Sequence, residues 1–339
     1  MLRIAGDINL TDGFFDTGIG TGSHITEGKD PFCHLERHED DYWIGNMECV
    51  CADTSCQSGL KRKQFIISPN SLGHIRHFNF YGVANNHVMQ HGADAYHAMC
   101  QYFESQHIAY AGSDDKRTYQ FVHQGKNIGI MVFCMRPENF SKSPVYWYMP
   151  EYTEVKRELQ GLAKCDYKIV YVHWGNEFIN YPYIDQKQFA HFLIDEGADL
   201  IVGMHPHVLQ GFEHYKHGYI FYSLGNFVFN MPWESTKYSI IVNVDLKGSP
   251  VVSYEYVKIG LDFFPHPAAQ VPPQFTMEHL NTLLDINLEN EKYYRKVFAY
   301  NKQYKKANRK QIAKNFMHMR LSDSMGIIRE FIIRKTKKS

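Results

Sequence analysis

"DQKQFAHFLIDEGADLIVGMHPHVLQG", residues 185–211, decides how this chain is read. A helical pattern runs from a capping Asp185 to a stopping Gly197, and the β-branched run "DLIVGM" (199–204) follows at once. That run ends on His205 and His207, which flank Pro206. Upstream, "KIVYVH" (168–173) is another strand-like run closing on a histidine, His173. Strand, helix, strand predicts an α/β fold. In an extended segment, side chains two apart share a face, so both rings of His-Pro-His can reach one polar centre. A proline-stiffened turn carrying solvent-facing histidines is the alternative.

Working outward, further strands are predicted at "LRIAG" (2–6), "FYGVA" (80–84), "IGIMVF" (128–133), "YIFYSL" (219–224), "SIIVNV" (239–244) and "VVSYEYV" (251–257). Helical patterns lie at 93–107, with Tyr96, Met99 and Phe103 on one face, and at 150–163, opening with proline. The hairpin-like strands after residue 219 argue for a mixed sheet or two sheets. "FFPHPAAQVPPQF" (263–275) reads as a linker or a chain draped over the body. The expected organisation is therefore a domain at 1–262, the Pro-rich segment 263–275, and a basic helical extension at 276–339. In that extension Tyr293, Val297, Tyr300, Tyr304 and Ala307 recur at helical spacing, and a second apolar run, "GIIREFII", occupies 326–333.

Apolar residues at 44% and charged residues at 21% describe a globular chain, not a disordered one. No run approaches the ~18 apolar residues of a spanning helix. The start, "MLRIAGDINL", reads as a strand and not as a secretion signal, so a cytoplasmic location is expected. Seven cysteines (33, 49, 51, 56, 100, 134, 165) have no disulfide-scaffold spacing. Cys49, Cys51 and Cys56 cluster without the second pair that a zinc site needs, so reduced thiols are expected. The net charge of zero hides an asymmetry. From Lys292 onward fifteen Lys and Arg face two acids, whereas 21 basic and 34 acidic residues precede it. Such a block suggests contact with an anionic membrane surface, nucleic acid, or an acidic surface on the same or another protein.

The rare polar residues fall at strand ends: Asp7 after the first strand, "NME" (46–48) after "YWIG", "ANNH" (84–87) after "FYGV", then His173, His205 and His207. In open α/β sheets ligands bind outside the carboxyl ends of strands, so these sites can converge on one crevice. Carboxylate, amide oxygen and imidazole form a ligand set for Zn, Mn or Fe, with no thiolate needed. Each alone has a plainer reading: a turn, a surface charge, or a packed histidine.

"GDINL" (6–10), "NMECV" (46–50), "VANNHVMQHG" (83–92), "VHWGNEF" (172–178), "GADLIVGMHPHVLQG" (197–211) and "IFYSLGNFVF" (220–229) resemble, in sequence and in order, the CapA family of capsule and poly-γ-glutamate synthesis proteins. That family lies within the calcineurin-like metallophosphoesterase superfamily, and the resemblance covers roughly residues 1–260. It implies an α/β/β/α sandwich with mixed sheets and two divalent ions. Asp7, Glu48, Asn86, His173, His205 and His207 would be the metal ligands, with Glu48 bridging. His87 would protonate a leaving group or steady a phosphoryl oxygen, and Asn85, Glu177 and Asn226 would orient ligands or face substrate. Two positions depart from pattern: Asn9 stands where the superfamily usually has a histidine, and Gln90 where the family normally has an aspartate. Both lower charge or donor strength.

The resemblance implies a hydrolase that acts through metal-activated water on a phosphoester or anionic polymer of capsule or cell-envelope metabolism. Two further readings remain. One is a non-hydrolytic metal-binding component of a polymer synthesis or export complex, docked through its basic tail on a membrane surface or an envelope-assembly partner, which would place it at the inner face of the membrane. The other, nucleic-acid binding, ranks lower, because no recognised RNA or DNA fold motif accompanies the basic residues.

Overall fold

The computed structural model describes residues 1–13, 15–55, 57, 61, 63–73, 75, 78–316 and 318–336. Cys56, the last cysteine of the cluster, and residues 337–339 of the tail lie outside them. The strands are β1 (Leu2–Ile8), β2 (Tyr42–Met47), β3 (Val50–Cys51), β4 (Ile66–Ile67), β5 (Phe80–Gly82), β6 (Ala109–Ala111), β7 (Thr118–His123) and β8 (Lys126–Cys134). They continue with β9 (Tyr167–His173), β10 (Leu200–Met204), β11 (Phe212–Tyr215), β12 (Gly218–Phe221), β13 (Asn226–Val228), β14 (Tyr238–Asp245), β15 (Val251–Ile259) and β16 (Pro265–Pro267). The helices are α1 (Thr21–Thr26), α2 (Pro69–Leu72), α3 (Ala93–Ser105), α4 (Tyr152–Gly161), α5 (Ile184–Asp195), α6 (Met277–Thr282), α7 (Asn290–Phe316) and α8 (Leu321–Thr336).

Two mixed sheets carry the body. One has the order β16-β15-β14-β1-β2-β5-β6, with β13 also on β1; the other has the order β11-β12-β10-β9-β8-β7. Each has a parallel block: β1, β2, β5 and β6 in the first, where β14 and β15 join antiparallel, and β8, β9, β10 and β12 in the second. Parallel strands covered on both faces read as continuous apolar runs, which is what "KIVYV" and "LIVGM" are.

Alternation along the second sheet sets the layers. Ile128, Ile130, Val132, Ile169, Tyr171, Leu200 and Val202 join the core shared with the first sheet. Met131, Phe133, Val170, Val172 and Ile201 point the other way, onto Val155 and Leu159 of α4 and Phe189 and Leu193 of α5. On the first sheet Tyr81 of β5 stacks on Phe103 of α3 at 5.4 Å. The order is thus helix, sheet, sheet, helix.

Helix α5 begins one residue earlier than its expected cap. Tyr183 holds the cap position, and Asp185 lies in the first turn, where its charge complements the helix dipole. The Pro-rich segment contributes β16, antiparallel to β15, so part of it completes the edge of the first sheet. Beyond it, Tyr293 of α7 is buried against Tyr181 and Tyr183. Among the described residues no helix is long and apolar enough to cross a membrane.

Candidate metal centre

The parallel registers deliver the strand ends to one place. Asp7 on β1 pairs with Asn46 on β2 and with Asn226 on β13, and Met204 on β10 pairs with His173 on β9. Glu48, Asn85–His87 and His205–His207 lie in the loops just beyond β2, β5 and β10. The close approach of β1 and β13 depends on Gly6, where a Cβ would stand 2.0 Å from the Gly225 carbonyl oxygen.

His205 and His207 do not sit in extended chain as expected. Their φ values are +94° and +59°, in the left-handed region that side chains with a Cβ rarely adopt. The backbone turns at both residues and presents the rings to different partners. The His205 amide donates to Asp7 Oδ2 at 3.1 Å, which ties the turn to β1. Its Nδ1 lies 3.1 Å from His173 Nε2. His207 turns its Nδ1 to Asn226 Oδ1 at 2.9 Å and lies 3.5 Å from Asp7 Oδ2. Strain held by surrounding contacts is frequent at functional sites.

Glu48 is the centre of the arrangement. It is fully buried, and its Oε1 lies 3.9 Å from Nε2 of each of His87, His173 and His207. Neither carboxylate oxygen accepts a hydrogen bond among the described residues, and His205 Nε2 is likewise buried without one. Leaving such groups unsatisfied costs several kcal/mol each, so these atoms call for a cation. Two ligand groups with donor atoms within 4.8 Å of one another share this carboxylate: Glu48, His173 and His205, and Asp7, Glu48 and His207. The hard oxygens and imidazoles fit divalent Mn, Zn or Fe, and sharing Glu48 fits a bridging role.

The electrostatics point the same way. Burial pushes the Asp7 carboxyl up to about 7, against the pull of its bonds from Asn46 and the His205 amide. Burial, then Asp7 and Glu177, pushes Glu48 well above the carboxylate range. Burial, followed by neighbouring imidazoles and Arg136, pushes His173 and His205 well down, and burial brings His207 to about 3. Protein alone thus favours protonated acids and neutral imidazoles. A divalent cation reverses that preference for the acids and uses the neutral imidazoles as they stand.

The remaining expected residues divide. Asn86 directs its Oδ1 to His173 Nε2 at 2.8 Å, at the edge of the first ligand group. Asn85 is buried and spent on structure: its Nδ2 donates to the Met47 carbonyl at 2.8 Å, and its Oδ1 accepts from the His87 amide. Asn226 holds the His207 ring. His87 stacks on Phe65 at 3.9 Å and turns Nδ1 to Gln90 Oε1 at 3.0 Å. Its Nε2 faces Glu48 Oε1 at 3.9 Å. Burial brings His87 to about 4, so in the protein alone its imidazole rests neutral. Asn9 turns away: its Oδ1 accepts from the Thr11 amide at 3.1 Å and the Thr11 hydroxyl at 2.6 Å.

Three contributors were not singled out from sequence. Asn46 donates to Asp7 Oδ1 at 2.7 Å and lies 3.3 Å from His173 Nδ1; its place two residues before Glu48 at a strand end was the available signal. Arg136, beyond β8, donates to the Gly175 carbonyl at 2.6 Å and adds positive charge beside His173 and His205. The third is a wall of aromatics. A cleft of about 260 Å³ opens from His87, His207 and Glu177 and is lined by Phe178, Trp233 and Tyr304. Tyr304 belongs to α7, and its ring lies 4.3 Å from Phe178 and 4.5 Å from Trp233. A larger surface cleft of about 880 Å³ beside β15 and β16 is lined by none of the ligand residues.

The capsule biosynthesis protein CapA of Bacillus anthracis is 33% identical over 201 residues, 54% of this chain and 48% of that protein. The PGA biosynthesis protein CapA of Bacillus subtilis is 32% identical over 246 residues, 68% of this chain and 63% of that protein. This chain thus matches about half to two thirds of the length of these relatives. A solved 5'-nucleotidase precursor from Thermus thermophilus superposes with a TM-score of 0.43 at 14% identity, over 78% of this chain and 55% of that one, too distant a likeness to bear on the chemistry. The profile of the family described as bacterial capsule synthesis protein PGA_cap matches residues 2–231, which include every ligand residue of the two groups. The chain belongs to the PGA_cap family of bacterial capsule synthesis proteins.

Proposed function

We propose that this protein is a metal-dependent hydrolase acting on a phosphoester or related bond of an anionic capsule or cell-envelope polymer, polysaccharide or poly-γ-glutamate, or of its precursor. The observation that carries the reading is Glu48, a buried carboxylate with both oxygens unbonded, facing three imidazoles and shared by two ligand groups. Asp7, Glu48, Asn86, His173, His205 and His207 would hold the ions. Bound divalent ions supply Lewis acidity toward a substrate oxygen and lower the pKa of water.

The chain's own residues prepare that chemistry. Asn46 and the His205 amide fix both oxygens of Asp7, and Asn226 fixes His207. His87, neutral and with Nε2 toward the centre, is placed to accept a proton or a hydrogen bond from a reacting hydroxyl. Glu177, Phe178, Trp233 and Tyr304 border the cleft through which substrate would approach.

The test pairs metal analysis of the purified protein with hydrolysis of a chromogenic phosphodiester in Mn²⁺. His207→Ala should lose about 100-fold or more in rate, since disturbance one shell beyond a metal already costs 10–100-fold. Equal activity in wild type and variant overturns the reading.

A second reading has one observation behind it. Asn9 is committed to Thr11, so the first strand end offers Asp7 alone, one donor fewer than the superfamily pattern. A centre so reduced suits a component that grips an anionic polymer through metal without cleaving it. Stoichiometric metal with polymer binding and no turnover would favour it.

A further inference from the structure

Helix α8 has two faces of opposite character. Met319, Asp323, Ser324 and Ile327, in and just before it, are buried; Met319 and Ile327 pack with Ile312 of α7. Lys63 clamps Asp323 from the body at 2.8 and 2.9 Å. On the other side Leu321, Met325 and Ile328 are 78%, 62% and 47% exposed. Spacings of four and three put these three on one narrow stripe, and the spacing continues to Ile332, also exposed. Single exposed apolar residues are ordinary, but an aligned stripe along a docked helix marks an interaction face.

Charge identifies what the face meets. Arg329, four residues on from Met325, flanks the stripe, and Arg334, Lys335, Lys337 and Lys338 follow in the sequence. The two acids of the whole tail are Asp323, already held by Lys63, and Glu330. Among the described residues no ion pair joins a basic residue of the tail to an acid of the 1–262 body, although Lys296 lies over the Tyr181 ring at 5.8 Å. Among the described residues the ion pair between them, Lys63–Asp323, has the opposite polarity, with the acid on the tail. Two copies meeting through this face would bring like charges together, which disfavours self-association. At sixteen residues α8 is about 24 Å long, short of the bilayer's hydrocarbon core, so it would lie along a surface.

We propose that α8 docks this protein peripherally on an anionic phospholipid surface, with Leu321, Met325 and Ile328 entering the interface and the basic residues facing the headgroups. An apolar stripe combined with basic charge is the pairing that holds interfacial helices.

The test is sedimentation of the full chain with vesicles of phosphatidylcholine alone and of phosphatidylcholine mixed with phosphatidylglycerol. Wild type should sediment with the mixed vesicles, and less so as salt is raised. M325E with I328E should bind at least about tenfold more weakly, since each loses the burial of a large apolar side chain. M325L with I328L, which keeps the stripe, should bind as wild type. Unchanged thermal unfolding of both variants separates lost docking from lost folding. Failure of wild type to bind the mixed vesicles, or binding untouched by the glutamates, overturns the proposal. So does a wild-type dimer that the glutamates dissociate, because the face would then belong to a second copy.

Discussion

Glu48 concentrates the energetics of the site in one side chain. Burying a carboxylate among three imidazoles without a hydrogen bond is costly in the protein alone, so any cation that fills the centre should stabilise the fold by mass action. The expected outcome is an unfolding temperature that rises with added Mn²⁺ or Zn²⁺ in wild type and falls back with a chelator. Glu48→Gln keeps the shape but removes the shared negative charge, so the metal-dependent rise should shrink by at least half, measured by differential scanning fluorimetry across a metal titration. A rise of equal size in the variant would remove Glu48 from the centre. At this scale much of the site was legible before the structure. Asp7, Glu48, Asn86, His173, His205 and His207 are polar residues at the ends of apolar runs, and such residues need a partner. Their backbone was less legible. Alternation suggested extended histidines, whereas the Asp7 bond to the His205 amide fixes a left-handed turn, a long-range contact that local pattern cannot contain.

At the scale of elements, the strands that read clearly were the interior ones, and the reason is burial on both faces. β1, β8, β9, β10 and β14 are buried almost throughout, while β7 and β11 at the edges alternate or mix and β3 and β4 have two residues each. Short pairings such as these depend on neighbours far off in sequence, so composition marks them weakly. Helix α7 was legible as a helix, but its role beside the site was not. Tyr304 has the same helical spacing as the buried Tyr293, yet its ring meets Phe178 and Trp233 at the cleft, and its hydroxyl lies 3.5 Å from that of Ser235. If this wall holds the non-reacting part of the substrate, Tyr304→Ala should raise KM about 3–10-fold while leaving kcat nearly unchanged, the loss of one aromatic contact. Steady-state kinetics on the same phosphodiester reads this directly. A fall in kcat at constant KM would instead place α7 in the chemistry.

For the whole molecule, the opposed charges of body and tail suggest an electrostatic attachment, but apart from the Lys63–Asp323 pair the described contacts are of another kind. Tyr293 is buried among Tyr181 and Tyr183, and its hydroxyl accepts from Asn176 at 3.3 Å. Asn315 donates to the Phe15 carbonyl at 2.6 Å, and Tyr304 packs on aromatics of the body. Burial and neutral hydrogen bonds are little screened by salt, whereas attraction between exposed charges weakens within a Debye length of about 10 Å at 0.1 M. Attachment by packing makes α7 a fixed wall of the cleft. The two kinds of attachment separate in one experiment. Raising salt from low to about 0.5 M, where surface charges are well screened, should barely change the unfolding temperature of wild type. Tyr293→Ala should lower it by about 5 °C, from roughly 3 kcal/mol of lost aromatic burial, and should expose α7 to limited proteolysis at a rate that salt does not alter. If salt alone releases α7 to protease in the wild-type chain, charge and not packing holds the tail, and the basic residues are already engaged by the body.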